Sequence, residues 1–252
     1  MRNSRTLQNI REGKPVRICA LGHFIPPYIA LAARAGYDCI WLDMEHRAWD
    51  PREIQALMPL FHQYDIDCML RPPTRERARL YRFLEDGATG LLMPHISSPE
   101  LVADLVSATK FPPVGDRGLD GAGPDSDFLG MPPDEYVQAA LDNTFLVIQV
   151  ETPQAVEQVE QIAATKGLDG IFIGPGDLGL RYRQAGTPEM LETAIERVAA
   201  ACRSAGIAWG MPVGTQADVD KRRSQGAQLL AVGGEFFWLK QGLESAVQMI
   251  RD

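Results

Sequence analysis

The chain has 252 residues, 45% of them apolar and 23% charged, with a formal net charge of −8 and a pI near 5.1. That excess of acid argues against nucleic acid as the main partner, because phosphate binding draws on clustered Lys and Arg. No apolar stretch approaches the roughly 18 to 20 residues of a membrane span, and the opening MRNSRTLQNIREGKPVR lacks the apolar core of a secretory signal. A cytoplasmic protein acting on a small molecule, with no membrane partner, is expected.

In chain order, VRICALG (16–22) is the first of eight short apolar runs. The second, DCIWLD (38–43), ends in Asp43, with Glu45 and His46 just beyond. The helical stretch PREIQALMPLFHQY leads to IDCMLR (66–71), which delivers Arg71 ahead of Pro72 and Pro73. TGLLMP (89–94) brings His95, and FLVIQVE (145–151) brings Gln149 and Glu151 before the helical TPQAVEQVEQIAAT. DGIFIGP (169–175) runs into Gly176 and Asp177, and IAWGMPV (207–213) and QLLAVGG (228–234) complete the series.

Continuous rather than alternating apolarity is the mark of parallel strands covered on both faces. About eight strand-helix units in this length predict an α/β fold of the TIM (β/α)8 barrel type, in one domain over 1–252. An open doubly wound sheet is the alternative, since periodicity does not reveal closure. The exception to short connections is KFPPVGDRGLDGAGPDSDFLGMPP (110–133), whose prolines and glycines forbid regular structure and suggest a lid or an interface element. Cys19, Cys39 and Cys68 lie within apolar runs, and with Cys202 they show no C-x-x-C spacing, so buried thiols are expected.

A TIM barrel builds its site where the strands end, so these polar residues should converge on one mouth. Glu151 and Asp177 offer two hard oxygen ligands, suited to Mg²⁺ or Mn²⁺ with other positions left to water and substrate. Each acid could instead be a favourable first-turn charge of its helix. Arg71 facing that mouth could stabilise an oxyanion, or form a plain salt bridge. Among His23, His46, His62 and His95, only His46 combines a strand end with flanking carboxylates, which makes it the candidate base. FIGPGD lacks the marks of a phosphate loop, but the N–H groups of Gly176 and Asp177 could grip a carboxylate.

AGYDCIWLDMEH, MLRPP, ATKFPPVGDRG, VIQVETPQAVEQVEQIAATKGLDGIFIGPGDL and GAQLLAVGGE, in that order, resemble the metal-dependent (class II) 2-oxo-acid aldolases of the HpcH/HpaI family. The similarity is to the 4-hydroxy-2-oxoheptanedioate and 2-dehydro-3-deoxyglucarate aldolase type, covers nearly the whole chain, and is most specific from Gln149 to Leu178. It implies a closed barrel of the phosphoenolpyruvate/pyruvate-domain type. It implies Glu151 and Asp177 as ligands of Mg²⁺, Mn²⁺ or Co²⁺, and substrate contacts from Gln149, Gly176 and Asp177. His46 becomes the base, organised by Asp43 and Glu45, and Arg71 the partner of an enolate oxygen. The implied reaction is reversible cleavage of a 4-hydroxy-2-oxo acid to pyruvate and an aldehyde. The implied assembly is a homo-oligomer, a hexamer built as a trimer of dimers with the last helix exchanged. No Schiff base is needed, and none of the five lysines ends a predicted strand.

Several positions depart from the family pattern. Glu85 stands where the family places an aspartate that raises the basicity of its histidine, and it ends a helix running away from the mouth. It would therefore act across a subunit interface. Asp120, Asp125 and Asp127, if they face the mouth, would repel a carboxylated aldehyde and favour a neutral or hydroxylated one. Arg181 and Arg183 would instead bind an acidic tail, near Gly179 where many relatives have serine. Three other functions remain open. An oxaloacetate decarboxylase would use the same groups, a CoA-ester lyase would need a basic groove, and a non-catalytic 2-oxo-acid-binding barrel would not need His46.

Overall fold

The computed structural model describes residues 1–250. The eight predicted runs all form strands: β1 (Val16–Leu21), β2 (Cys39–Asp43), β3 (Asp67–Arg71), β4 (Gly90–Met93), β5 (Phe145–Val150), β6 (Gly170–Ile173), β7 (Ala208–Pro212) and β8 (Leu229–Gly234). They pair in parallel, in chain order, and close with β8 against β1, so the doubly wound alternative falls. The register sets Asp43 beside Arg71 across β2 and β3.

Side chains of a strand alternate between its two faces, and the barrel uses both. One parity fills the interior with Val16, Ile18, Cys39, Met69, Leu92, Phe145, Val147, Phe172, Ala208, Leu229 and Ala231. The other parity packs Leu21, Ile40, Leu42, Leu70, Leu91, Ile148 and Ile171 against the surrounding helices. All four cysteines are buried and unpaired, as expected.

Among the described residues, twelve α-helices accompany the strands: α1 (Arg5–Arg11), α2 (Pro26–Ala35), α3 (Pro51–Gln63), α4 (Arg77–Glu85), α5 (Pro99–Thr109), α6 (Pro133–Asn143), α7 (Pro153–Glu157), α8 (Val159–Ala163), α9 (Pro175–Gln184), α10 (Met190–Ala205), α11 (Gln216–Ser224) and α12 (Glu235–Gln248). Asp50 and Glu53 form a reciprocal capping box that starts α3 directly after the loop of His46. The helix expected over TPQAVEQVEQIAAT is two pieces, α7 and α8, parted at Gln158 with φ −108° and ψ 9°.

The strand N-termini are stoppered by α1, whose Leu7 joins the interior cluster. Asp67, fully buried at the start of β3, accepts from the Thr6 N–H at 2.7 Å and the Ser4 hydroxyl at 2.8 Å, and pairs with Arg2. With that end closed, the mouth at the strand C-termini is the open end.

The long segment after α5 does not rise to that mouth. Arg117 lies under it, buried, with its guanidinium over Phe111 at 4.5 Å and hydrogen bonds to Tyr136 (2.8 Å) and Asp125 (3.1 Å). Asp125 is thus an internal partner, and Asp120 and Asp127 line a cavity of about 730 Å³ beside the C-terminal end of α4. The condition under which these three acids would select the aldehyde, that they face the mouth, is not met. The segment leaves α5, which descends from β4, so it begins at the opposite end of the barrel.

Candidate active site

β2, β3 and β5 place Asp43, Arg71 and Gln149 on the interior parity, one layer above Trp41, Met69 and Val147, and Glu151 follows on the same parity just past β5. Arg71 is the hub, with only 5% of its surface exposed. Its Nε donates to Asp43 Oδ1 at 3.0 Å, and Nη2 lies 2.8 Å from Asp43 Oδ2. Its Nη1 donates to Gln149 Oε1 at 3.3 Å and lies 2.9 Å from Glu45 Oε2. That second approach is an ion pair without a well-directed hydrogen bond, since Glu45 Oε2 is otherwise unsatisfied. The guanidinium stacks over the Trp41 ring at 4.5 Å, an apolar floor that strengthens the charge interactions above it.

Asp43 works mainly on the backbone and on Arg71. Its Oδ1 accepts from the Glu45 N–H at 3.0 Å and the His46 N–H at 3.4 Å, so it shapes the turn that carries both side chains. Burial would push its carboxyl up, but the hydrogen bond and charge of Arg71 prevail and hold it below the usual carboxylate range.

His46 sits on the rim, its side chain 58% exposed and its Nε2 3.5 Å from Glu45 Oε2. The more deeply engaged imidazole is His95, just past β4. Its Nε2 lies 2.9 Å from Glu45 Oε1, its Nδ1 lies 2.7 Å from Glu151 Oε1, and its N–H donates to that same oxygen at 2.8 Å. Its backbone is left-handed at φ 55°, unusual for a residue with a side chain. His46 alone has carboxylates beside it in the chain, but His95 and His23, just past β4 and β1, also meet carboxylates, drawn from beyond the ends of other strands.

Glu151 is 2% exposed. Burial pushes its carboxyl above the usual range and the charges of Glu45 and Asp177 add to the push, while the N–H and ring of His95 oppose it only in part. Gly174 makes room for this group. A Cβ there would lie 2.8 Å from Gln149 Nε2 and 3.0 Å from Glu151 Oε2. Asp177 stands in the first turn of α9, half exposed, with Arg181 Nη1 3.3 Å from its Oδ1. The N–H groups of Gly176 and Asp177 have no intrahelical acceptor, and a Cβ on Gly176 would meet open space.

The donor set Glu151 plus Asp177, hard carboxylate oxygens in an acidic neighbourhood, is of the type that fits a hard divalent ion. Among the described residues no group of three or more His, Cys, Asp and Glu side chains is arranged as a metal site, so any further ligands would be water and substrate oxygens. Lys110 is engaged elsewhere, 2.8 Å from Asp169 and 2.7 Å from the Thr144 carbonyl.

Glu85, at the end of α4, lines the 730 Å³ cavity and lies at the strand N-terminal end, away from His46. Burial pushes its carboxyl up; Arg117 opposes this, and Asp125 and Asp120 reinforce it. The cavity at the mouth is smaller, about 320 Å³, lined by Glu45, His95, Arg75, Thr74 and three prolines. The convergence of charged groups, rather than size, makes this mouth the candidate site.

A profile of the HpcH/HpaI aldolase/citrate lyase family matches residues 22–240. The chain is 35% identical to hydroxypyruvate/pyruvate aldolase of Roseovarius nubinhibens, over 86% of each chain. It is 34% identical to 2-keto-3-deoxy-L-rhamnonate aldolase of Klebsiella pneumoniae, over 88% of this chain and 83% of that one. An HpcH/HpaI aldolase from Desulfitobacterium hafniense superposes with a TM-score of 0.90 at 29% identity, over 97% of this chain and 96% of that one.

Proposed function

The chain belongs to the HpcH/HpaI aldolase/citrate lyase family and is a carbon-carbon lyase; on that premise we propose that it is a metal-dependent pyruvate aldolase of the cytoplasm. It cleaves a 4-hydroxy-2-oxo acid reversibly to pyruvate and an aldehyde. The observation that carries this reading is Arg71, pinned by Asp43, Glu45 and Gln149 beside the buried Glu151.

The carboxylate of the 2-oxo acid docks on the N–H groups of Gly176 and Asp177. Its keto oxygen turns toward Arg71 and Gln149, so the charge that develops there on enolisation meets a donor held in advance. His46 moves the proton, taking it from the C4 hydroxyl in cleavage. Asp43 keeps the His46 turn and the guanidinium in register, and Glu45 with His95 ties that turn to Glu151. Mg²⁺, Mn²⁺ or Co²⁺, held by Glu151 and Asp177, would supply further positive charge at the 2-oxo acid oxygens.

The working assembly is a homo-oligomer, a hexamer arranged as a trimer of dimers with α12 exchanged. Two features support it. α12 has no buried residue and exposes Phe236, Phe237, Leu239, Leu243 and Val247. An apolar cleft of about 440 Å³, with Tyr37, Val219, Leu230 and Val232, lies open between the end of α2, α11 and β8. Glu85 then acts on a neighbouring subunit's mouth, consistent with its position beside the large lateral cavity.

The test is pyruvate release from a panel of 4-hydroxy-2-oxo acids and from oxaloacetate, with each metal and with EDTA, for the wild type and His46→Ala. Metal-dependent release from a hydroxy-oxo acid that collapses in the variant supports the reading. Turnover of oxaloacetate alone replaces it with a decarboxylase.

A further inference from the structure

The mouth carries a further histidine-carboxylate pair that the chemistry above leaves unused. His23 follows β1, and Glu235 opens α12 directly after β8. These strands are neighbours, with Ala20 beside Gly234, so the two side chains emerge together. Glu235 Oε1 accepts from the Gly22 N–H at 2.8 Å and lies 2.8 Å from His23 Nδ1, with the Glu235 side chain only 9% exposed. A carboxylate at Nδ1 makes that nitrogen the protonated one and leaves Nε2 as an acceptor. Phe236 packs against the ring, centroids 4.5 Å apart.

Arg47 reaches the same spot from the loop after β2. A Cβ on Gly22 would fall 3.0 Å from Arg47 Cγ, 3.1 Å from Arg47 Nε and 3.2 Å from Glu235 Oε1. The bare glycine therefore lets the β2 loop and the β8 end close on one point. Arg47 Nη1 donates to the His46 carbonyl at 2.8 Å, and among the described residues no carboxylate lies within ion-pair range of the Arg47 guanidinium. An acceptor nitrogen and an unneutralised donor fork thus share the rim on which His46 stands.

We propose that His23, set by Glu235, and Arg47 form the acceptor-aldehyde subsite and select an aldehyde that carries a hydroxyl group. The inference rests on the aldolase reading and deepens it. A hydroxyl both gives and takes a hydrogen bond, so its proton meets Nε2 and its oxygen meets the guanidinium. A methyl group in its place leaves both partners desolvated and unpaired, and a carboxylate has no proton to give Nε2. Glu235 is a positioning residue here, because it touches the imidazole and not the substrate.

The experiment compares condensation of pyruvate with glycolaldehyde, its near-isostere propanal, and glyoxylate, each counted as free aldehyde. In the wild type kcat/KM for glycolaldehyde exceeds that for propanal by about tenfold or more. His23→Leu, Arg47→Met and Glu235→Gln each pull that ratio toward one, a readout that a general loss of activity does not move. Exchange of the pyruvate methyl protons with D₂O, which needs no acceptor, is followed in the same samples to report on the pyruvate site separately. A wild-type ratio near one, a ratio that His23→Leu and Arg47→Met leave intact, or a preference for glyoxylate overturns the subsite. Absence of methyl exchange in the wild type overturns the aldolase reading itself, and the subsite with it.

Discussion

Replacing Arg71 with methionine keeps most of the side-chain volume and removes every donor, so it separates the charge of this residue from its packing. In the wild type the guanidinium faces Asp43 at 2.8 Å and Glu45 at 2.9 Å, with side-chain exposures of 6% for Arg71 and 13% for each acid. Removing one partner from a buried pair costs roughly 3 to 5 kcal/mol at neutral pH. At roughly 2 to 4 °C per kcal/mol for a chain of this size, the melting temperature should drop by about 6 to 20 °C. The pH dependence gives a sharper test. Asp43 is held below the usual carboxylate range, so its pairing stabilises the wild type above the unfolded carboxylate pKa and is lost as pH falls through the lower folded value. In Arg71→Met the same carboxyl has burial without the cation, its folded pKa lies above the unfolded one, and its cost vanishes as it protonates. The stability gap between the two proteins should therefore narrow from pH 7.5 to pH 4.5 in urea titrations at fixed protein concentration. The kcat for pyruvate release should fall by about two to three orders of magnitude, as for other preorganised oxyanion donors. Arg71→Lys, which retains a point charge but not the fork, should fall between. A gap independent of pH, or a kcat within about twofold of wild type, would refute the assignment of Arg71 as a charge-held donor.

Glu151→Gln preserves shape but removes a buried charge. It should abolish high-affinity Mn²⁺ binding in calorimetry yet melt no lower than wild type in EDTA; a metal-free protein that melts well below wild type would mean the carboxylate is structural. His95→Ala should weaken Mn²⁺ binding by about 10-fold through loss of the imidazole contact that orients Glu151, the backbone N–H contact being kept, and unchanged affinity would remove the His95 ring from that role. Leu243→Glu places a charge on the exposed apolar face of α12 and should shift sedimentation velocity toward smaller species. A species of wild-type size would place the oligomer contact elsewhere. Glu85→Gln should change the pH profile of kcat only in the assembled protein, and a profile identical to wild type would confine Glu85 to its own cavity.

The eight strands were legible because each is a short, uninterrupted apolar run, the pattern that burial on both faces demands. Asp43, Arg71, Gln149 and Glu151 were legible as a group for a related reason, since each extends the interior parity of its own strand past the last apolar residue. In sequence His95 is a strand-end residue with a weaker signal than His46, because only His46 has carboxylates beside it in the chain. Its real partners, Glu45 and Glu151, come from other strands, and the left-handed backbone that aims it has no sequence signature. The pairing of His23 with Glu235 joins the first strand to the last and is visible only after closure. Composition does not place the acids of the long loop, which reads as either a lid or an interface element; the chain path carries them down beside α4 and buries Asp125 on Arg117 and Tyr136.

The same parity explains why stability and chemistry are linked in this barrel. Following β2 upward, the interior position is Cys39, then Trp41, then Asp43; following β5 it is Phe145, Val147, Gln149 and then Glu151. Apolar layers thus rise from the α1 stopper to a floor on which one charged layer stands, and water reaches that layer only from above. Such a floor makes every ion pair in the layer stronger and every unpaired charge more costly. The layer is self-neutralising around Asp43 and Arg71, whereas Glu151, facing Glu45 and Asp177, is left short of positive charge. The fold thereby divides the mouth into a half whose charges are paired and a half with an excess of negative charge. Gln149 stands at the boundary between them, touching Arg71 on one side and bordering Gly174 on the other.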